Sequence, residues 1–337
     1  MNILHESMRK KQPWTLEGKL NSLLGKTGFA GTAEYLGKFL NQLYGDDYTA
    51  ALNEVRERFN SIPVDRTRVK PLVKVTGEFW AQTTEGDGNF NMFKFLEKEG
   101  AQVLVEPIGT WIMYMMKWNL AKKLGSHLSS KQTLAKLTAA EVIFKREYHR
   151  LIDSLGGIAH HLADQYELQR LGHPFYNSRA GGGEGHLEVA KNIYYSNKDL
   201  CHMVLSLKPF GCMPSTQSDG AQSAVVTHFK DMIFIPIETS GEGDVNAHSR
   251  VQMALGEAKV RAKNEMKRVL DEAGVTVEEI KAFVADHPEM QQPMYKYGHR
   301  KGVVGVSANF AIHTAERIKA ERRERVTVEQ TKEMAAV

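Results

Sequence analysis

Apolar residues spaced three and four apart run through residues 16–24, 33–44 and 48–59, and Gly25, Gly45 and Pro63 punctuate them. That spacing belongs to single helix faces, so residues 1–68 read as a helical amino-terminal segment. The texture changes at Val69. Residues 71–79, with the apolar run around Val73 and Val75, predict a buried strand that ends in a loop at Gly77-Glu78. Residues 90–99 then predict a helix and residues 101–106 a second strand, a βαβ unit whose crossover favours parallel pairing. Residues 111–124 carry methionine and tryptophan at helical spacing, which suits a cofactor box or a membrane-facing helix as well as a core helix. Lys117, Lys122 and Lys123 interrupt the run and favour the core helix.

Residues 130–171 return to a helical period broken at Gly156-Gly157, an excursion spanning about 127–171. A glycine-rich stretch, Arg179 to His186, opens a helix to about Ser196. Residues 201–207 and 232–238 predict two further strands, and a long helix capped by Asn246 or Asp244 runs to about Ala273. Residues 301–308 fit either a last short strand or a glycine-rich turn, and residues 311–325 a helix whose basic face is solvated. The expectation is an α/β protein with a mostly parallel sheet flanked by helices. Its domain spans 69–310, followed by a carboxyl-terminal helix and tail at 311–337. No internal repeat or low-complexity segment interrupts this order.

Composition narrows the class. The 337 residues are 42% hydrophobic and 25% charged, ordinary for a globular protein, and the formal charge of +4 is spread along the chain. Nucleic-acid binding is therefore not indicated. No signal-peptide or membrane-spanning run follows Lys10 and Lys11, so a soluble, cytoplasmic protein is expected. Only Cys201 and Cys212 occur. In a reducing compartment they read as free thiols or metal ligands rather than a disulfide.

In an open parallel sheet, ligands gather where loops leave the carboxyl ends of the strands. Three polar loops qualify, at 77–89, 208–219 and 239–248. The second is the most unusual: Pro209, Gly211 and Pro214 brace Cys212, and Ser215, Thr216, Gln217 and Ser218 follow with donors. Lys208 and the backbone N–H groups of such a turn suit a lowered thiol pKa or a cluster's sulfurs; the alternative is a small buried cysteine. Cys201, eleven residues earlier beside His202, fits no common zinc or ferredoxin spacing, and one strand places it at the opposite sheet end. Gly181, Gly182 and Gly183, with Arg179 nearby, present either an anion cradle or a flexible helix lead-in. Glu184, His186 and Glu188 do not share one helix face, which argues against a metal there. His127, His149, His160, His161 and His173 lack carboxylates at ligand spacing. The acids Glu238, Glu242 and Asp244 read as a solvated loop or as ligand contacts. Gly25, Gly28 and Gly31 fit neither nucleotide fingerprint, and hydrolase, zinc-protease and P-loop motifs are absent.

Three stretches together resemble components of the 2-hydroxyacyl-CoA dehydratase and benzoyl-CoA reductase superfamily, notably modules related to their ATP-dependent activators. They are Lys74-Val75-Thr76-Gly77-Glu78-Phe79 with its following helix and strand, Gly183-Glu184-Gly185-His186-Leu187, and Lys208-Pro209-Phe210-Gly211-Cys212-Met213-Pro214. The resemblance covers residues 70–250. It implies a Rossmann-like fold, a [4Fe-4S] cluster, low-potential electron transfer driven by a separate ATPase activator, and an acyl-CoA substrate. On it Cys212 is a cluster ligand, with Lys208, Gly211 and Ser215 around it; Glu78, Gly181, Gly182 and Gly183 stand beside these as further candidate cofactor contacts. Two cysteines fall short of the roughly four ligands such a cluster takes. Two readings follow: a cluster shared with a partner that carries further cysteines, or a cluster-less scaffold or ligand-binding subunit of such a complex.

Overall fold

The computed structural model describes residues 30–84, 86–125, 130–158, 161–180, 183–240 and 243–335. The helix expected at 16–24, and Gly25, Gly28, His127, His160, Gly181, Gly182 and Glu242, lie outside them. Along the chain come α1 (Ala30–Tyr44), α2 (Asp47–Asn60), β1 (Leu72–Gly77), α3 (Phe79–Thr83), α4 (Met92–Lys98) and β2 (Gln102–Leu104). Then follow α5 (Ile108–Leu124), α6 (Lys131–Ser154), α7 (Gln165–Gly172), α8 (Gly185–Asn197), β3 (Met203–Pro209) and α9 (Met213–His228). The last elements are β4 (Phe234–Thr239), α10 (Asp244–Ala273), α11 (Val277–Asp286) and α12 (Val306–Ala335). No strand forms at 301–308; the chain turns at Gly302, whose φ is +79°, and enters α12.

The chain divides into two compact units. The first joins residues 1–64, 126–161 and 292–296, so the stretch read as an excursion groups with the amino-terminal helices up to residue 161, while its remainder, 162–171, belongs to the second unit. Within it Arg150 ties α6 to the α1–α2 turn by donating Nη1 to the Gly45 carbonyl at 3.0 Å. Gly156 and Gly157, at φ +94° and +68°, turn the chain after α6, as their pairing in the sequence suggests.

The second unit holds the sheet. Its four strands are parallel in the order β2-β1-β3-β4. The chain therefore reverses direction of progress between β1 and β3. On one face Val73, Val75, Met203, Leu205 and Leu207 pack with Met92 and Leu96 of α4 and Val251, Leu255 and Ala258 of α10. On the other, Leu104 and Val204 meet Val189 and Ile193 of α8 and Val225 of α9. Helices on both faces explain why the strands read as near-continuous apolar runs. Among the described residues no helix is long and apolar enough to cross a membrane.

Gly77 ends β1 where the two central strands come closest. Its φ is +109°, and an added Cβ would lie 2.0 Å from the Leu207 carbonyl oxygen and 2.6 Å from the Leu207 nitrogen. A side chain has no room against that backbone. Gly77→Ala is expected to destabilise the second unit by about 2 kcal/mol, read from urea unfolding followed by circular dichroism. An unchanged midpoint would contradict this packing.

Candidate functional site at the carboxyl edge of the sheet

Alternation along β1 sends Val73 and Val75 to one face and Lys74 and Thr76 to the other; β3 does the same with Ser206 and Lys208. Register places Thr76 beside Ser206. Against this polar strand face lies α8, with Glu188, Lys191, Asn192 and Tyr195 three and four residues apart on its inner stripe. All of them are buried, and Lys74, Lys191 and Lys208 rank with the largest fully buried side chains.

Each buried charge or amide here has a partner. Lys208 Nζ meets Glu188 Oε1 at 3.2 Å and also pairs with Asp219 at the second turn of α9. Glu188 further accepts from Ser218 Oγ at 2.5 Å and from Ser206 Oγ. Lys74 pairs with Glu106 at 2.7 Å, and Thr110 Oγ1 donates to the same carboxylate at 2.7 Å. Burial pulls Lys74 down to about 8 against the opposing pull of Glu106. Burial also works to raise Glu106, but Lys74 and then Lys191 hold its carboxyl down at about 2. Thr76 donates to Asn192 at 2.8 Å, Asn192 to Gln222 at 3.2 Å, and Lys191 to Gln82 at 3.2 Å. Such a network is stable only when fully paired, because each orphaned group would carry its whole desolvation cost.

The cysteine turn sits directly above this network. Cys212 is the residue before α9, half-buried, and its N–H donates to the Pro209 carbonyl at 3.3 Å. Gly211 supplies the positive φ of +78° that the tight turn needs. Lys208 does not serve the thiol as expected; its ammonium turns inward and is held between Glu188 and Asp219. Ser215 is buried in the first turn of α9, where its carbonyl accepts from Ser218 Oγ at 2.8 Å. The turn's outer face is apolar, with Phe210 73% and Met213 69% exposed.

Two stretches singled out separately in the sequence meet here. An added Cβ on Gly183, whose φ is +103°, would lie 2.6 Å from Pro214 Cγ, and one on Gly185 would lie 3.0 Å from the Pro214 carbonyl. The glycines at the start of α8 thus exist to let the cysteine turn pack on that helix. Glu184 precedes α8 without a side-chain capping bond, and its buried Oε2 accepts no hydrogen bond. Desolvation raises its carboxyl to about 7; Lys191 opposes this, and Glu78 and Glu188 add to it. Glu78 accepts from the Ala81 N–H at 3.0 Å and so caps α3. Neither Asn246 nor Asp244 caps α10; Gly243 stands at that position with no side-chain bond.

His186 faces away from Glu184 and Glu188 toward Tyr114 and Tyr176, and burial lowers its imidazole to about 4. Cys201 precedes β3 and Cys212 follows it, so the two thiols lie at opposite ends of the strand. Burial raises Cys201 to about 12, which leaves it a protonated core residue at neutral pH. Among the described residues no three His, Cys, Asp or Glu side chains converge as metal ligands. One thiol at this edge does not fit a complete four-iron cluster, which takes about four ligands.

Sequence reasoning named Lys74, Glu188 and Ser218 without their pairing, and missed Glu106, Lys191, Asn192 and Ser206 altogether. Lys74 alone carried a signal, since a lysine inside an apolar run of a strand covered on both faces requires a buried counter-charge. No protein-family model matches this chain, and no curated protein or solved structure is similar to it.

Proposed function

We propose that the chain is a non-autonomous subunit that supplies one thiolate, Cys212, to a metal–sulfur site completed by another chain. The setting is a Rossmann-like component of a low-potential, ATP-driven electron-transfer system of the 2-hydroxyacyl-CoA dehydratase or benzoyl-CoA reductase type. A single observation carries this reading: the thiol stands half-exposed at a helix start, on a rigid turn at the sheet's carboxyl edge, between two bulky apolar side chains left in the open. A core cysteine has no use for such a rim, whereas a ligand shared across an interface needs both access and a dry surround. The parallel order β2-β1-β3-β4, which reverses between β1 and β3, also supports the reading. This chain's residues hold and orient Cys212; the remaining ligands belong to the partner, and substrate chemistry is not assigned to this subunit.

The test is anaerobic purification of the native complex with iron and sulfide analysis and electron paramagnetic resonance. Iron and sulfide in the complex, and their loss in Cys212→Ala with the fold and subunit composition retained, are the expected result. A colourless, metal-free complex would sink the proposal. The open cleft of about 1080 Å³ beside the turn favours a second reading, a cluster-less ligand-binding subunit. In that case Cys212→Ala leaves the activity of the complex intact.

A further inference from the structure

Large apolar side chains stand in the open on three of the segments that follow the carboxyl ends of the strands. Trp80 after β1 is 66% exposed, Phe210 and Met213 after β3 are exposed as noted above, and Val245 after β4 is 72% exposed. Strands β1 and β4 lie two spacings apart, about 10 Å. Of these side chains, Phe210 and Val245 line one open cleft together with Phe90 and Ile237. Exposed apolar side chains gathered round one cleft mark protein contacts.

The charge of the patch leans negative. Lys208 is already shared between Glu188 and Asp219. Glu238, beside Lys208 in the β3–β4 register, is exposed and has no ion pair among the described residues. Asp244 adds a further exposed carboxylate at the start of α10. Arg250, which also lines the cleft, donates Nη2 to the Pro236 carbonyl at 3.0 Å. Burial raises the Asp219 carboxyl, and Glu188 and Glu238 push it further in the same direction. Carboxylates outnumber cations at this wall, and a surface that covers it gains by bringing positive charge.

The geometry points to the carboxyl edge as the docking surface of a second protein, which enters the cleft with an apolar segment bearing lysine or arginine. This deepens the half-site reading of Cys212 and rests on it, because it names the chemistry of the chain that completes the site.

The test places the photo-reactive residue p-benzoylphenylalanine at position 210 of the full chain in the cells that make it, with a control probe at Met253, which is 81% exposed on α10. The expected result is one adduct from position 210 to a different protein, mapped by mass spectrometry to a peptide in which a basic residue lies within a few positions of an apolar one. Glu238→Gln is expected to lower its yield severalfold and Glu238→Lys at least tenfold, with melting temperature unchanged, and the Met253 probe to give none of it. An adduct with a second copy of this chain, an acidic or uncharged target peptide, a yield indifferent to position 238, or no adduct overturns the inference. Iron analysis of the same complex separates the two proposals. A basic partner without iron sinks the cluster and leaves the docking face, and iron with a silent position 210 does the reverse.

Discussion

Replacing Lys208 with methionine is expected to destabilise the second unit by about 3–5 kcal/mol, because Glu188 and Asp219 would then face each other without a cation. Lys208 is fully buried and Glu188 nearly so. Methionine fills most of the volume, so the loss reports the charge and not a cavity. Urea unfolding should show a lower midpoint at unchanged slope. Adding Glu188→Gln to the same chain removes one orphaned charge and is expected to recover part of the loss. A single variant within about 1 kcal/mol of the native chain would mean that water reaches this lysine, and the buried network described above would be wrong.

The second large effect is a pH-dependent gain from Glu184→Gln. The Glu184 carboxyl is raised from 4.5 to about 7, chiefly by desolvation. In the unfolded chain it ionises from its ordinary value upward, while the folded chain keeps the proton until about pH 7. The folded state thus binds more protons between these two values, and its stability falls as pH rises through that window. The penalty is absent below the unfolded value and complete above pH 7, where the difference in pKa corresponds to about 3 kcal/mol. Glutamine keeps an acceptor and has no proton to lose. Thermal melts of the two chains should coincide near pH 4, separate through pH 5 to 7 in favour of the variant, and stay apart above it. A separation that does not vary with pH would contradict the desolvated setting of Glu184.

The main elements of the sheet were legible because apolar runs, glycines and prolines act locally. Four strands and their helices appear near the expected places, and parallel pairing followed from the helix between β1 and β2. Boundaries shifted where a side chain, invisible to periodicity, took over a backbone role. His202 accepts the Leu72 N–H through Nδ1 at 2.9 Å, so β3 starts only at Met203 and runs on to Pro209. At 301–308 the apolar valines suggested a strand, but the Glu265 carboxylate accepts the N–H groups of Val304 and Gly305 at 2.8 and 2.6 Å. Those N–H groups are then unavailable to a sheet. The site was half legible. The turn around Cys212 and the glycines before α8 stood out by composition, yet their contact through Pro214 joins residues about thirty positions apart. The stripe of Glu188, Lys191 and Asn192 carries no signal of burial in its own sequence; only the strand opposite reveals that it is buried.

That stripe also bears on how finely this helix is seated. An all-apolar interface of the same volume would be at least as stable, yet it would tolerate a helix slid by one turn or rotated by a few tens of degrees. Here a slide of α8 by 5.4 Å, one turn, would bring Glu188 out of reach of both Lys208 and Ser218 at once. The ions therefore act as a key with a single seating, and Gly183 and Gly185 pass that seating to Pro214 and so to the sulfur two residues before it. Chains relieved of their buried charges by simultaneous apolar substitution should be firmer to denaturant and looser in the position of Cys212.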